Sequence, residues 1–410
     1  MKKALMVGFL SLSPLIMAAN LEPVIYGTVI TTKDEKVTGT LRWGDQEMWL
    51  SDIFNGRKVK TIGIEHFTEE QIQALEDHQP GPQARMGGLQ ITFKSFFGNE
   101  VKLPYYNLPF GAISQLAIDT NKGKYQATLH DGVVIDADGD TNDLTDDIFV
   151  LTADGNTVEF DMDEIKAIQF SQAPTDAKRF DQGIYGIVTT KNGQFQGRFM
   201  WDKDERALSE ELDGNEADGT KHKIKFKDIK SIERQGDRSL VVLNDGQSLL
   251  LGGTNDVDSS HRGLWFYNPD IGRHEILWDD FVKFEMTDIP LKWLTYSDYQ
   301  QYTKPLSGNI KLANDSAITV SEIAFDLNQQ SGHELLEVEV NGIETFIPFR
   351  NISKITQSNP SAVSLLLTNG ETVIAYGTRS VTRDNNGLFV TEGNEKRWIM
   401  WQDVQSIEFN

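Results

Sequence analysis

The sequence predicts an all-β fold assembled from three tandem copies of one unit. Three observations carry this: a segment that recurs along the chain, hairpin-turn dipeptides at matching places, and apolar–polar alternation of period two. The recurring segment is Tyr26-Gly27-Thr28-Val29-Ile30-Thr31-Thr32-Lys33, repeated as Tyr185-Gly186-Ile187-Val188-Thr189-Thr190-Lys191. Both continue to a glycine (Gly39, Gly197) and a tryptophan (Trp43, Trp201). A third, more divergent copy starts at Leu306-Ser307-Gly308 and reaches Phe325-Asp326.

The later parts of the unit match as well. Phe226-Lys227-Asp228-Ile229 resembles Phe349-Arg350-Asn351-Ile352, with Phe110, Ile113 and Leu116 at the same spacing in the first copy. The turns His130-Asp131-Gly132, Asn244-Asp245-Gly246 and Thr368-Asn369-Gly370 follow, where a positive φ favours glycine. Each copy closes alike: Trp278-Asp279-Asp280-Phe281, Trp401-Gln402-Asp403-Val404, and Met162 with Ile165 and Ile168. Alternation such as Lys223-Ile224-Lys225-Phe226 marks strands with one buried face. The predicted boundaries are residues 24–172, 183–288 and 305–410, with an insertion at 57–88 and an aromatic linker at 289–304.

Each unit reads as two similar halves, each ending in an apolar strand, a one-turn polar corner and a last strand. About five short strands with one turn of helix before the last resembles SH3-like or Sm-like small barrels, a fold-level likeness covering most of 24–410. The chain also resembles the uncharacterised exported repeat proteins of Gram-negative bacteria, and that likeness implies no particular activity. The resemblance implies six small five-stranded barrels in three pairs; three larger sandwiches or barrels are the alternative.

Compartment and charge narrow the partners. Lys2 and Lys3, an apolar run from Ala4 to Met17 and Ala18-Ala19 form a secretory signal over residues 1–19. The run, about 14 residues, is short of a membrane span, and no other stretch could cross a bilayer as a helix. The absence of cysteine excludes disulfides, thiol catalysis and zinc–thiolate sites. A periplasmic or secreted location follows as the expectation. With 61 acidic against 39 basic residues the net charge is −22, which disfavours nucleic acid and anionic lipid. An RNA role suggested by Sm-like analogy is set aside, because fold alone does not license function.

Residues shared by all copies serve folding, so Trp43, Trp201, Trp278 and Trp401 are expected in cores, and the linker aromatics Trp293, Tyr296, Tyr299 and Tyr302 between units. Candidate functional residues lie where the first copy departs from the others. The insertion predicts one helix, with Thr68 and Gln71 as capping box and Ile72 and Leu75 on one face. His66 and His78 flank it, and with Trp49 and Phe54 they outline a candidate ligand-binding groove. The second departure is an acidic loop. Asp136, Asp138 and Asp140, with Asn142 and Asp143, place hard oxygen ligands at spacings compatible with calcium, although the glycine and glutamate of an EF-hand loop are missing. No nucleophile elbow, HExxH or phosphate loop occurs. The expected function is a non-enzymatic binding or scaffold protein with a protein or peptide partner in the cell envelope. The alternatives are an enzyme acting on envelope glycan or peptide, and a calcium-dependent adhesion or structural protein.

Overall fold

The structure, a computed structural model, describes residues 21–44, 46–78, 83–86, 89–92, 104–119, 123–138 and 147–410. It is all-β: antiparallel strands account for nearly every regular element, with helices α1 (Glu69–His78) and α2 (Tyr296–Tyr299) and several single 3₁₀ turns. The predicted signal segment lies outside the described residues. Among the described residues no helix is long and apolar enough to cross a membrane.

Strand pairing follows one order in three successive segments. In the first, the order is 157–160, 148–151, 36–43, 26–31, 165–170, 113–119, 124–129 and 134–138. In the second, 272–276, 264–268, 193–200, 184–190, 281–286, 229–235, 238–243 and 248–251 occupy the same places. The third runs 395–399, 388–392, 322–325 with 317–320, then 308–312, 404–409, 352–359, 362–367 and 372–376, its second strand broken at Ser321. Each segment adds one hairpin: 53–58 with 105–109, 211–215 with 221–225, and 335–340 with 343–348.

The corners explain why the halves merge. Six times the chain makes a single i→i−3 bonded turn: Ile113 to Phe110, Ile165 to Met162, Ile229 to Phe226, Phe281 to Trp278, Ile352 to Phe349 and Val404 to Trp401. In each, the first residue is buried and anchors the turn. The strands leaving the two corners of a segment pair with each other, as Ala167 with Ala117, Ile232 with Phe284 and Ile355 with Ile407. Two halves joined through a shared sheet bury their apolar faces together. Each segment accordingly has one main hydrophobic cluster that draws on both halves.

Local chemistry accounts for the repeated residues. A side chain on Gly27, Gly186 or Gly308 would collide with the carbonyl oxygen of Gln169, Glu285 or Glu408 on the closing strand, so only glycine lets the first and last strands cross so closely. Gly132, Gly246 and Gly370 carry φ of 84°, 91° and 88°, the backbone the turn dipeptides require. Trp43, Trp201, Trp278 and Trp401 are buried in the segment cores.

The three segments touch one another. The second and third share a sheet, because Arg273, His274 and Glu275 pair with Phe346, Thr345 and Glu344. The linker aromatics are packed as expected: Trp293, Tyr296 and Tyr299 are buried, the Tyr296 hydroxyl donates to the Phe170 carbonyl at 2.8 Å, and Tyr302 alone is exposed. The insertion straps the first segment to the third. Leu75 of α1 is buried in a cluster with Ala324, Leu327 and Phe389, and Phe67 packs on Trp398 with ring centroids 5.1 Å apart. Thr68 and Gln71 form the predicted capping box, backbone N–H to side-chain oxygen in both directions at 2.9 and 3.2 Å.

Candidate functional site

One acidic position decides how the segments meet. Nine residues after Trp43, Trp201 and Phe325 stand Asp52, Glu210 and Glu334. Each carboxylate accepts two backbone N–H groups of its own loop: Met48 and Trp49, Arg206 and Ala207, Gln330 and Ser331. The remaining oxygen of Asp52 takes the Arg198 guanidinium from the second segment, and that of Glu334 takes the Lys58 ammonium from the first at 2.6 Å. Arg198 also binds Glu22 at 2.7 Å and lies between the rings of Trp49 (4.4 Å) and Tyr267 (4.2 Å). Glu22, Asp52, Lys58, Arg198 and Glu334 are buried, and burial raises the Glu22 carboxyl above its ordinary range despite Arg198. This position was missed in the sequence. Its signal, an acid at a constant offset from the aromatic, was present.

Where the three segments and the linker converge, a small cluster forms from Ile53, Tyr267, Leu291, Trp293, Leu335 and Phe346. Against it opens a narrow cleft. The first segment contributes Ile53 and Pro109, the second Tyr267 and Arg273, the linker Trp293 and Tyr299, and the third Leu335, Pro348 and Arg350. None of its lining residues is acidic.

Two arginines give the cleft its polarity. Arg273 is sandwiched between Trp265 at 4.1 Å and Phe346 at 4.3 Å, and its Nε makes no hydrogen bond. Arg350 stacks on Tyr299 at 4.9 Å, while its Nε and Nη1, both buried, make none either. Neither arginine has a carboxylate within ion-pair distance among the described residues; the nearby Glu22 and Asp52 are committed to Arg198. The positive character reaches the neighbours. His333 is pushed down to about 3 by burial first and by Arg350 second, and Arg350 offsets part of the burial that raises the Tyr299 phenol.

A second titratable cluster lies at the joint between the second and third segments. Glu275 and Glu344 are cross-strand partners hydrogen-bonded to each other, with Lys203 on Glu275. Burial, then Glu275 and Glu337, pushes the Glu344 carboxyl well above its ordinary range.

The structure places the sequence-derived candidates elsewhere. Trp49 and Phe54 are buried, Trp49 against Arg198 and Phe54 in the first core beside Trp43 and Phe110, so neither presents a surface to a ligand. The His66 ring stacks on Phe389 at 5.4 Å as part of the strap. His78 ends α1, and its side chain lies outside the described residues. In the acidic loop, Asp136 accepts from Gln126 Nε2 at 2.9 Å and Asp138 ends its strand, whereas Asp140, Asn142 and Asp143 lie outside the described residues. Among the described residues no group of three or more candidate ligands gathers in metal-binding geometry.

No family model matches the chain, and no curated protein matches it. Among solved structures, a streptogramin B lyase aligns at 11% identity over 73% of this chain and 95% of its own, with a TM-score of 0.13. A virginiamycin B lyase from Staphylococcus aureus with quinupristin aligns at 12% identity over 71% and 86%, with a TM-score of 0.11. Scores this low transfer neither fold nor activity to this chain.

Proposed function

We propose that this chain is a non-enzymatic binding or scaffold protein of the cell envelope, periplasmic after export, that takes its partner at the three-segment cleft. The observation that carries this reading is Arg350: a guanidinium with two buried nitrogens and no hydrogen bond on either, in a wall without acids. A guanidinium that meets no carboxylate, set in a cleft wall without acids, is suited to an acceptor carried by a partner. In-cell photo-crosslinking tests it. A crosslinker at Leu294, on the cleft wall, is expected to trap one defined partner. A crosslinker at exposed Val282 on the second segment is expected not to, and Leu335→Trp, which fills the cleft, is expected to abolish trapping. Equal trapping from both positions would sink the reading.

A second reading, an enzyme acting on envelope glycan or peptide, draws on Glu275 and Glu344. It is the weaker one, because glycosidase carboxyls stand about 5–9 Å apart around the scissile bond, whereas these two bond to each other. The calcium reading attaches to Asp136, Asp138 and Asp140. Calorimetric titration of the wild type and of Asp138→Ala is its test, with no heat at millimolar calcium ending it.

A further inference from the structure

We infer that the three-segment cleft recognises a free carboxylate carried on an apolar group, with Arg350 as the anchoring residue. This rests on the binding role proposed above and goes further by naming the ligand's chemistry.

In a chain of net charge −22, a cleft wall with two arginines and no aspartate or glutamate is a local reversal. The molecule's other junction cations show what an arginine or lysine does here when its role is structural. Arg198 is met by two carboxylates and two rings, and Lys58 by Glu334 and the Asn328 carbonyl at 2.7 Å. Arg350 and Arg273 are held by rings, with Arg350 also hydrogen-bonded to the Tyr299 phenol, and neither meets a carboxylate among the described residues. A guanidinium stacked on a ring in a cleft wall, with no carboxylate to neutralise it, is suited to meet an oxyanion.

The walls then choose among oxyanions. Ile53, Pro109, Trp293, Leu335 and Pro348 surround the guanidinium with apolar surface. A hydrated inorganic dianion gains nothing from such walls and loses water to enter them. A carboxylate attached to an aliphatic or aromatic group gains charge-assisted hydrogen bonds at one end and apolar burial at the other. Two sources carry that chemistry: the C-terminus of a peptide with a hydrophobic last residue, and a free small organic acid.

Titration of the full chain by calorimetry and by tryptophan fluorescence, which Trp293 reports, separates these sources. The probes are a hexapeptide ending in leucine with a free carboxylate, its C-terminal amide, 3-phenylpropionate, and inorganic phosphate. The free-acid peptide or 3-phenylpropionate is expected to bind at least about tenfold more tightly than amide or phosphate, as loss of a charge-assisted hydrogen bond implies. Arg350→Gln is expected to erase that preference and Arg350→Lys to restore part of it. Arg350→Lys keeps the charge and so separates recognition from folding, and near-ultraviolet circular dichroism of both variants confirms the native core. Saturation by the free acid with little response to the peptide assigns the small acid, and the converse assigns the chain terminus. If acid and amide bind alike, or phosphate competes equally, the carboxylate inference is overturned while the cleft remains a binding site. If no probe binds the wild type and filling the cleft with Leu335→Trp leaves in-cell trapping unchanged, both the inference and the cleft's role fall.

Discussion

Arg198 and Arg350 sit at junctions of the same molecule and are treated in opposite ways. Arg198 is enclosed by Glu22, Asp52, Trp49 and Tyr267, with no exposed surface. Arg350 has Tyr299 beneath it, lines a cleft and meets no carboxylate among the described residues. A buried cation with every charge answered is architecture: removing it leaves partner carboxylates stranded in low dielectric. A cation that pairs with no carboxylate leaves none stranded when removed. The comparison thus separates what joins the segments from what is available for use.

The largest expected effect breaks the joint. Arg198→Met strands Glu22 and Asp52 and is expected to cost about 3–5 kcal/mol in urea unfolding, whereas Arg350→Met is expected to shift stability by less than about 1 kcal/mol. Equal losses would erase the distinction. Lys58→Met should be next, at about 3 kcal/mol, because Glu334 keeps its two backbone N–H bonds but loses its cation. Hydrogen exchange around Phe389 and Trp398, under the insertion strap, should rise in that variant and not in Arg350→Met. Gly186→Ala drives a methyl group at the Glu285 carbonyl and should cost about 1–3 kcal/mol with no change in ligand affinity.

Acidity sharpens the comparison less steeply. Burial holds His274 and His333 at about 3 and His261 at about 4, so the folded chain keeps them neutral while the unfolded chain protonates them below about 6.5. Their contribution is complete above that value and is lost as pH falls toward 3, on the order of 1 kcal/mol per pH unit for fully buried His274. Glu205 and Glu344, raised to about 8 by burial, act in the other direction: their contribution is present at low pH and is lost as pH rises from about 4.5 to 8. His274→Gln should flatten the acid limb of stability measured against pH. At the bottom of the scale, the exposed pair Lys166 and Asp34 should contribute nothing that a denaturation midpoint resolves.

Much of the strand layout was legible because it is local. The turn dipeptides announced positive φ at Gly132, Gly246 and Gly370, and alternation marked the one-sided strands. The helix at Glu69–His78 announced itself through Thr68 and Gln71. The site was not legible. Trp49 and Phe54 look like groove residues when read beside an insertion, yet both are buried, because the insertion folds over onto the third segment instead of covering its own. The constant offset of Asp52, Glu210 and Glu334 was visible as spacing, but a carboxylate's use as a joint depends on which distant cation reaches it. No cation from another segment reaches Glu210 among the described residues, although its two backbone bonds are the same.

The sequence by itself determined many of the strands and turns and the burial of the tryptophans at matching places, since these follow from backbone conformational preference and from the period of apolar residues along a single stretch of chain. Only the tertiary structure decided that the halves of a segment share one core, that Arg198 is consumed by a joint and that Arg350 is not. Those outcomes rest on contacts between residues far apart in the chain, where desolvation and charge pairing depend on positions that no local pattern encodes.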